Sequence, residues 1–239
     1  MQFFRQLKPI KALSFDLDDT LYSNHPVMLA TYQKMLGFFA EHLPMPAPTQ
    51  SGQYDHSYWF NFRNQAIALQ PELKHDVTEL RRISYRLGLI ELGLDQQQAL
   101  TLADLALDYF STERSNFSVP DDIHQFLSQI SARYPIVAIS NGNVDTTAIG
   151  IDRYFTYIYH ANYQDRQKPA PDMFKRACRD LAIAPQQLLH VGDCGNSDIK
   201  GALAFGCQAA WVSQFNVGKP IKILPTLAVT NVKALTAFC

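Results

Sequence analysis

The chain has 239 residues, 47% hydrophobic and 18% charged, which is ample material for one large packed domain or a core plus a smaller unit, and no mark of disorder. A formal net charge of -1 argues against a protein that lives on nucleic acid phosphates, and no apolar stretch approaches a membrane span. The N-terminus lacks an apolar signal core, and Cys178, Cys194, Cys207 and Cys239 show neither metal spacing nor a disulfide framework, so a reducing cytoplasm is the expected compartment.

The first predicted strand is the apolar run Ala12-Leu13-Ser14-Phe15, which leads directly into Asp16-Leu17-Asp18-Asp19-Thr20. Strand alternation puts Asp16 and Asp18 on the same side of the chain, with Leu17 turned away. Two such anions repel unless something cationic lies between them, and hard oxygen ligands suit Mg²⁺. Taken alone, the pentapeptide equally suits a solvated turn, or a helix N-cap at Asp19 or Thr20.

Residues 23–114 contain no convincing strand. Amphipathic patterns predict helices over about 27–42, 54–69, 77–92 and 96–110, with Pro44, Pro46 and Pro48 breaking the first from the second. This reads as an all-helical insertion placed immediately after the first strand. Beyond it, Pro120 opens a helix from Asp121 to Arg133 with Ile123, Phe126, Leu127 and Ile130 on one face. Pro135 then leads into the strand Ile136-Val137-Ala138-Ile139, which ends at Ser140-Asn141-Gly142. A helix over about 171–181 (stripe Phe174, Ala177, Leu181) is followed by the strand Leu188-Leu189-His190-Val191, ending at Gly192-Asp193. A helix over 198–205 and a strand over 209–212 complete the pattern. Such alternation with near-continuous apolar strands predicts an α/β fold, a parallel sheet covered by helices on both faces.

In open parallel sheets, ligands bind beyond the carboxyl ends of the strands. Three predicted strands end there in polar groups, namely Asp16 with Asp18, Ser140, and Asp193, and Lys168 precedes Pro169 just before a helix. Carboxylates for a metal, a hydroxyl with adjacent backbone N–H groups, and a cation together suit a phosphoryl group. Individually, Ser140 would be a strand-end hydroxyl, Lys168 a surface lysine and Asp198 a helix-start residue near the dipole.

The ordered set resembles the haloacid-dehalogenase-like hydrolase superfamily across the whole chain. The matching motifs are Asp16-Leu17-Asp18-Asp19-Thr20, Ser140 within Ile139-Ser140-Asn141-Gly142, Lys168-Pro169, and Gly192-Asp193 followed by Asp198. The resemblance implies a Rossmann-like core from residues 1–22 and 115–239 and a helical cap from residues 23–114. It also implies a Mg²⁺ cofactor held by Asp16, Asp193 and the backbone carbonyl of Asp18. Asp16 would be the nucleophile that forms an aspartyl-phosphate, and Asp18 the acid and then the base. Ser140 and the Asn141 N–H would hold phosphoryl oxygens, Lys168 would offset charge on Asp16 and the phosphoryl group, and Asp198 would orient Lys168 or a metal-bound water. Cys194 stands where many relatives carry a small polar residue or an acid, and reads as a small filler. Asp19 reads as structural, holding the turn after the strand.

Membership does not settle the reaction, because dehalogenases, phosphatases and mutases share the core. A leaving alkoxide needs a proton and a leaving halide does not, so Asp18 favours phosphoryl chemistry. A phosphosugar mutase using the same carboxylates stays open, as does a nucleotide or sugar-phosphate phosphatase, with a non-catalytic binding module further off. The implied partner is a small phosphorylated metabolite, neither nucleic acid nor membrane, and oligomeric state is not legible. Within the cap, the aromatic run 54–60 suits either a planar ring or ordinary helix packing. Arg63, Arg81 and Arg82 suit an anionic substrate or plain solvent. Tyr22 through Pro26, the segment 71–78 and Ser140-Asn141-Gly142-Asn143 are similar to a bacterial subgroup of phosphatases. Its members act on FMN and on the riboflavin precursor 5-amino-6-(5-phosphoribitylamino)uracil, which implies a phosphate on a ribityl chain attached to a flat heterocycle.

Overall fold

Ala12–Phe15 is buried along its whole length, as a strand with neighbours on both edges and helices on both faces must be. The computed structural model describes residues 1–43 and 55–239. The expected breakers Pro44, Pro46 and Pro48, and Tyr54, lie outside them.

The sheet comprises β1 (Gln2–Phe3), β2 (Ala12–Phe15), β3 (Ile136–Ser140), β4 (Tyr157–His160), β5 (Leu188–Gly192), β6 (Gln208–Val212) and β7 (Leu227–Val229), in the order β1-β7-β6-β5-β2-β3-β4. All neighbours run parallel except β1, which pairs antiparallel with β7 at one edge. From β2 the chain builds outward through β3 and β4, then crosses back to build β5, β6 and β7 on the other side. That reversal opens a crevice at the carboxyl end of β2, between the ends of β3 and β5. The helical insertion therefore follows the second strand in chain order, because the two-residue β1 precedes it. β4 also went unforeseen, since Tyr157–His160 is a short edge strand that stays partly exposed.

On one face, α5 (Asp121–Arg133) buries Ile123, Phe126, Leu127 and Ile130, and Phe126 meets Phe15 edge-on at 5.8 Å. On the other, α6 (Asp172–Asp180) and α7 (Gly201–Phe205) cover Ala12, Val137, Leu188 and Ala209 with Phe174, Ala177 and Ala202. The helix expected over 198–205 is instead a π-helical segment, Gly195–Lys200, that runs into α7.

The chain divides into two compact units, Met1–Asn24 with Ser118–Cys239, and His25–Phe117. The borders expected at 22/23 and 114/115 thus fall two and three residues later. The second unit carries most of α1 (Asn24–His42), then α2 (His56–Leu69), α3 (Val77–Glu91) and α4 (Gln96–Arg114). Asp55, Asp76 and Asp95 each cap the helix that follows by accepting backbone N–H bonds, worth about 1 kcal/mol apiece. Met35, Phe39, Trp59, Tyr85, Leu89 and Phe110 form its main core, with Phe39 stacked on Trp59 at 4.2 Å. Gly88 makes room for that stack, because a Cβ there would stand 2.7 Å from the Trp59 ring. In the segment 71–78, Leu73 is buried against Ala66 and Leu80 while Asp76 caps α3.

Candidate active site

Asp16 follows the last residue of β2, and its backbone N–H donates to the Val191 carbonyl of β5 at 2.9 Å, so the sheet ladder itself fixes where its carboxylate begins. Leu17 turns into the interior, fully buried. Asp19 adopts φ 59° and its Oδ1 accepts the backbone N–H of Asn24 at 2.8 Å, which ties the turn to the start of α1. Asp18 lies against the end of β3. A Cβ on Gly142 would stand 2.6 Å from Asp18 Oδ2, so only a glycine admits the carboxylate there.

Lys168 is the hub. Its side chain is 1% exposed, and Nζ lies 2.7 Å from Asp16 Oδ1, 2.8 Å from Asp198 Oδ1 and 2.5 Å from the Ile139 carbonyl. Those three acceptors match the three donors of an ammonium. Burial works against the charge, but Asp16 and Asp198 outweigh it and hold the lysine above its usual range. Asn141 clamps the same residue through its main chain, with Oδ1 accepting the Lys168 N–H at 2.7 Å and Nδ2 donating to its carbonyl at 3.0 Å. Ser140 is buried, and its hydroxyl oxygen accepts the Gly142 N–H at 3.0 Å, which leaves its hydrogen to donate elsewhere.

Asp198 reaches back from the π-helical segment onto β5. Gly192 permits this, since a Cβ there would be 2.3 Å from Asp198 Cγ. Asp198 Oδ2 accepts the Cys194 N–H at 2.9 Å, so residue 194 contributes its backbone to the site. Burial alone would raise this carboxyl, but the Lys168 ammonium and the His190 hydrogen bond outweigh it and hold it well below the ordinary range. It is therefore ionised and can only accept. His190 Nε2, 3.0 Å from Asp198 Oδ1, must carry the hydrogen, which leaves Nδ1 to accept from the Ser14 hydroxyl at 2.9 Å. Burial, with the Lys168 charge, depresses His190 and keeps it neutral. A continuous polar chain thus runs Ser14–His190–Asp198–Lys168–Asp16.

Asp193 follows the last residue of β5, on the crevice side. Thr20 Oγ1 donates to its Oδ1 at 3.3 Å, and the Trp211 indole N–H donates to its carbonyl at 2.9 Å. Ser14, Thr20 and His190 carry no catalytic signal in the sequence, because a polar residue inside an apolar strand or a Thr after an acidic turn reads as structure.

The residues fit a divalent metal. Ligand oxygens of Asp16, Asp193 and Asp198 lie within 4.8 Å of one another. Three buried carboxylates against one ammonium leave two negative charges unbalanced. The strain is visible at Asp193, pushed up to about 7 by burial and then by the charges of Asp198 and Asp19. Burial likewise raises Asp16, with Lys168 opposing and Asp198 and Asp193 reinforcing. Because Asp198 already serves Lys168, His190 and the Cys194 N–H, Asp16 and Asp193 are the side chains left to face a hard cation.

A buried carboxylate beside a buried ammonium, at the switch point of a parallel sheet and with a second carboxylate two residues on, is an arrangement that suits a hydrolase. A family model described as haloacid dehalogenase-like hydrolase matches residues 10–206. The 5-amino-6-(5-phospho-D-ribitylamino)uracil phosphatase YigB of Escherichia coli strain K12 is 34% identical over 241 residues, 99% of each chain. A phosphoserine phosphatase of Thermus thermophilus is 26% identical, covering 86% of this chain and 89% of its own. Among solved structures, a 2-haloacid dehalogenase from Pseudomonas syringae pv. tomato superposes with a TM-score of 0.85 at 26% identity, over 95% of this chain and 97% of that one. The chain belongs to the haloacid dehalogenase-like hydrolases.

Proposed function

We propose that this chain hydrolyses a phosphate monoester carried on a ribityl chain attached to a flat heterocycle, with FMN and 5-amino-6-(5-phosphoribitylamino)uracil as the leading substrates. That it is a phosphoric monoester hydrolase follows from the phosphatases it matches over nearly its whole length. The ribityl substrate rests on the 34% identity to the YigB phosphatase over 99% of both chains. The single observation that carries the mechanism is the pairing of Asp16, beside the Lys168 ammonium at 2.7 Å, with Asp18 two residues further on.

Asp16 attacks phosphorus in line, forming an Oδ–P bond as the ester P–O bond breaks. Asp18, protonated at this stage, gives its proton to the departing alkoxide. As a carboxylate, it then takes a proton from water, whose oxygen attacks the same phosphorus and breaks the Asp16 Oδ–P bond. Inorganic phosphate leaves and both aspartates return to their starting states. Ser140 donates its free hydroxyl hydrogen, and the Asn141 N–H its own, to phosphoryl oxygens. Lys168 holds Asp16 in place and lowers the charge that the phosphoryl group meets; its donors being taken, it acts as a charge unless one bond is exchanged. Mg²⁺ on Asp16, Asp193 and the Asp18 carbonyl would neutralise phosphoryl charge when bound. The dehalogenase likeness does not extend to the reaction, because a halide leaves without the proton that Asp18 supplies. A cytoplasmic setting fits, and no described helix is long and apolar enough to cross a membrane.

The test is phosphate release from FMN, the ribitylaminouracil phosphate, nucleotides and hexose phosphates, with Mg²⁺ and with chelator. Mg²⁺-dependent release favouring the ribityl phosphates is expected, and Asp16→Asn should be inactive on all of them. A preference for nucleotides or hexose phosphates would remove the ribityl substrate. Activity retained by Asp16→Asn would remove the mechanism.

A further inference from the structure

The helical unit encloses a cavity of its own, about 120 Å³, walled by Tyr32 of α1, by His56, Trp59 and Arg63 of α2, and by Arg81 and Tyr85 of α3. Arg63 and Arg81 converge here, and among the described residues neither has a carboxylate partner. The contrast with the next residue is informative. Arg82 points away and is bound by Asp104 at 2.5 Å and Glu79 at 3.2 Å. Arg81 instead stacks on Phe110, its Cζ 3.5 Å from the ring centroid, and its buried Nε has no hydrogen-bond partner. Its Nη1 donates to the Tyr85 hydroxyl at 3.5 Å.

Two partly desolvated guanidiniums facing one cavity repel each other, and an unpaired buried donor costs about 1–3 kcal/mol. Arg63 feels the cost: burial and then the Arg81 charge hold it below its usual range, and burial with the same two arginines lowers His56. The Phe110 face offsets part of that cost for Arg81 through a cation–π contact, but it supplies no hydrogen-bond acceptor for the guanidinium N–H groups. One ligand chemistry relieves all of this. An oxyanion between the two forks would satisfy Arg81 Nε, cancel the like-charge repulsion and accept from a protonated His56.

We propose that this cavity is a binding site for a small oxyanion, a carboxylate or a phosphate, held by Arg63 and Arg81 with His56 and Tyr32 at its rim. The anion is one free in solution, and the cavity that takes it lies wholly within the helical unit. Of the aromatic run 54–60, Trp59 serves both the packing of the helices and the cavity wall, while His56 and Phe60 line the cavity.

The two tryptophans of the chain lie one in each unit, Trp59 in the cavity wall and Trp211 in β6. In Trp211→Phe, with chelator present, Trp59 emission should change saturably as inorganic phosphate is added. Adding Arg63→Gln or Arg81→Gln should weaken that binding at least about tenfold. Adding Asp16→Asn should leave it unaltered, which separates it from phosphate at the catalytic centre. Circular dichroism and melting confirm folding of each variant, and the half-exposed Arg63 is the safer of the two. No saturable change in folded protein, or affinity indifferent to both arginines, would overturn the site. The binding arm needs no turnover, so it stands or falls independently of the proposed reaction.

Discussion

Replacing Lys168 by Met tests whether the ammonium holds the site together. The substitution keeps side-chain length and volume nearly constant, so little of its effect arises from a cavity. It removes three contacts at once: Asp16 Oδ1 at 2.7 Å, Asp198 Oδ1 at 2.8 Å and the Ile139 carbonyl at 2.5 Å. Taking one partner from a buried ion pair costs about 3–5 kcal/mol, and the stranded Ile139 carbonyl adds about 1 kcal/mol or more. Against a total stability of about 5–15 kcal/mol, that is a large share. One escape limits it, because the freed carboxylates can take up protons. Without Lys168 both Asp16 and Asp198 rise, and a carboxyl raised in the folded state favours folding at low pH and loses that benefit as pH rises through its folded value. The deficit relative to wild type must therefore grow with pH. Urea unfolding with chelator should show about 3–5 kcal/mol lost at pH 8 and clearly less at pH 5, with unchanged m. At matched folded fractions, turnover should fall about 10²–10³-fold. A loss under about 1 kcal/mol at pH 8, or one equal at both pH values, would refute the buried-hub reasoning.

Asp18→Asn should slow both formation and hydrolysis of the phosphorylated enzyme by about 10²–10⁴-fold, read by rapid quench; two unchanged rates would remove its acid–base role. Asp193, pushed up to about 7, must lose a proton to bind a metal, so calorimetry should find Mg²⁺ affinity about tenfold weaker at pH 6 than at pH 8. In the metal-free protein the same raised carboxyl contributes stability below about pH 4 and loses it as pH rises through about 7, so the Mg²⁺-induced rise in Tm should widen over that range. Affinity that ignores pH would sink this account of the site's charge. In the helical unit, Gly88→Ala brings a Cβ to 2.7 and 2.9 Å from Trp59 and 3.1 Å from Phe62, and should destabilise by about 1–3 kcal/mol. Unchanged stability and unchanged Trp59 emission would mean the stack yields freely.

What the sequence by itself determined is local or repeats along the chain. Four buried strands announce themselves as apolar runs because both faces of a parallel sheet are covered. α5 was legible to the residue at Asp121–Arg133, since a proline opens it and Ile123, Phe126, Leu127 and Ile130 keep one face apolar. Asp16, Asp18, Ser140, Lys168 and Asp193 could be grouped because each stands at a strand end or before a helix, where an open sheet collects its chemistry, and Asp198 joined them only through the family resemblance. The edge strands β1 and β4, and the three-residue β7 beside β1, were not legible, being short and partly exposed, with little pattern to read. Only the tertiary structure decided how the polar groups pair. His190 reads as one more core position in an apolar strand, yet it joins Ser14, 176 residues away, to Asp198. Lys168, a surface lysine when taken alone and a countercharge to Asp16 only by resemblance, is buried against Asp16, 152 residues away. Arg81 and Arg82 are adjacent and chemically alike, and 100° of helix rotation sends one to Asp104 and the other into a cavity without an acid. Hydrogen bonds and ion pairs depend on distances of a few ångströms between residues far apart in the chain. A pattern read along the chain carries no such distances; the packing of the strands and helices sets them.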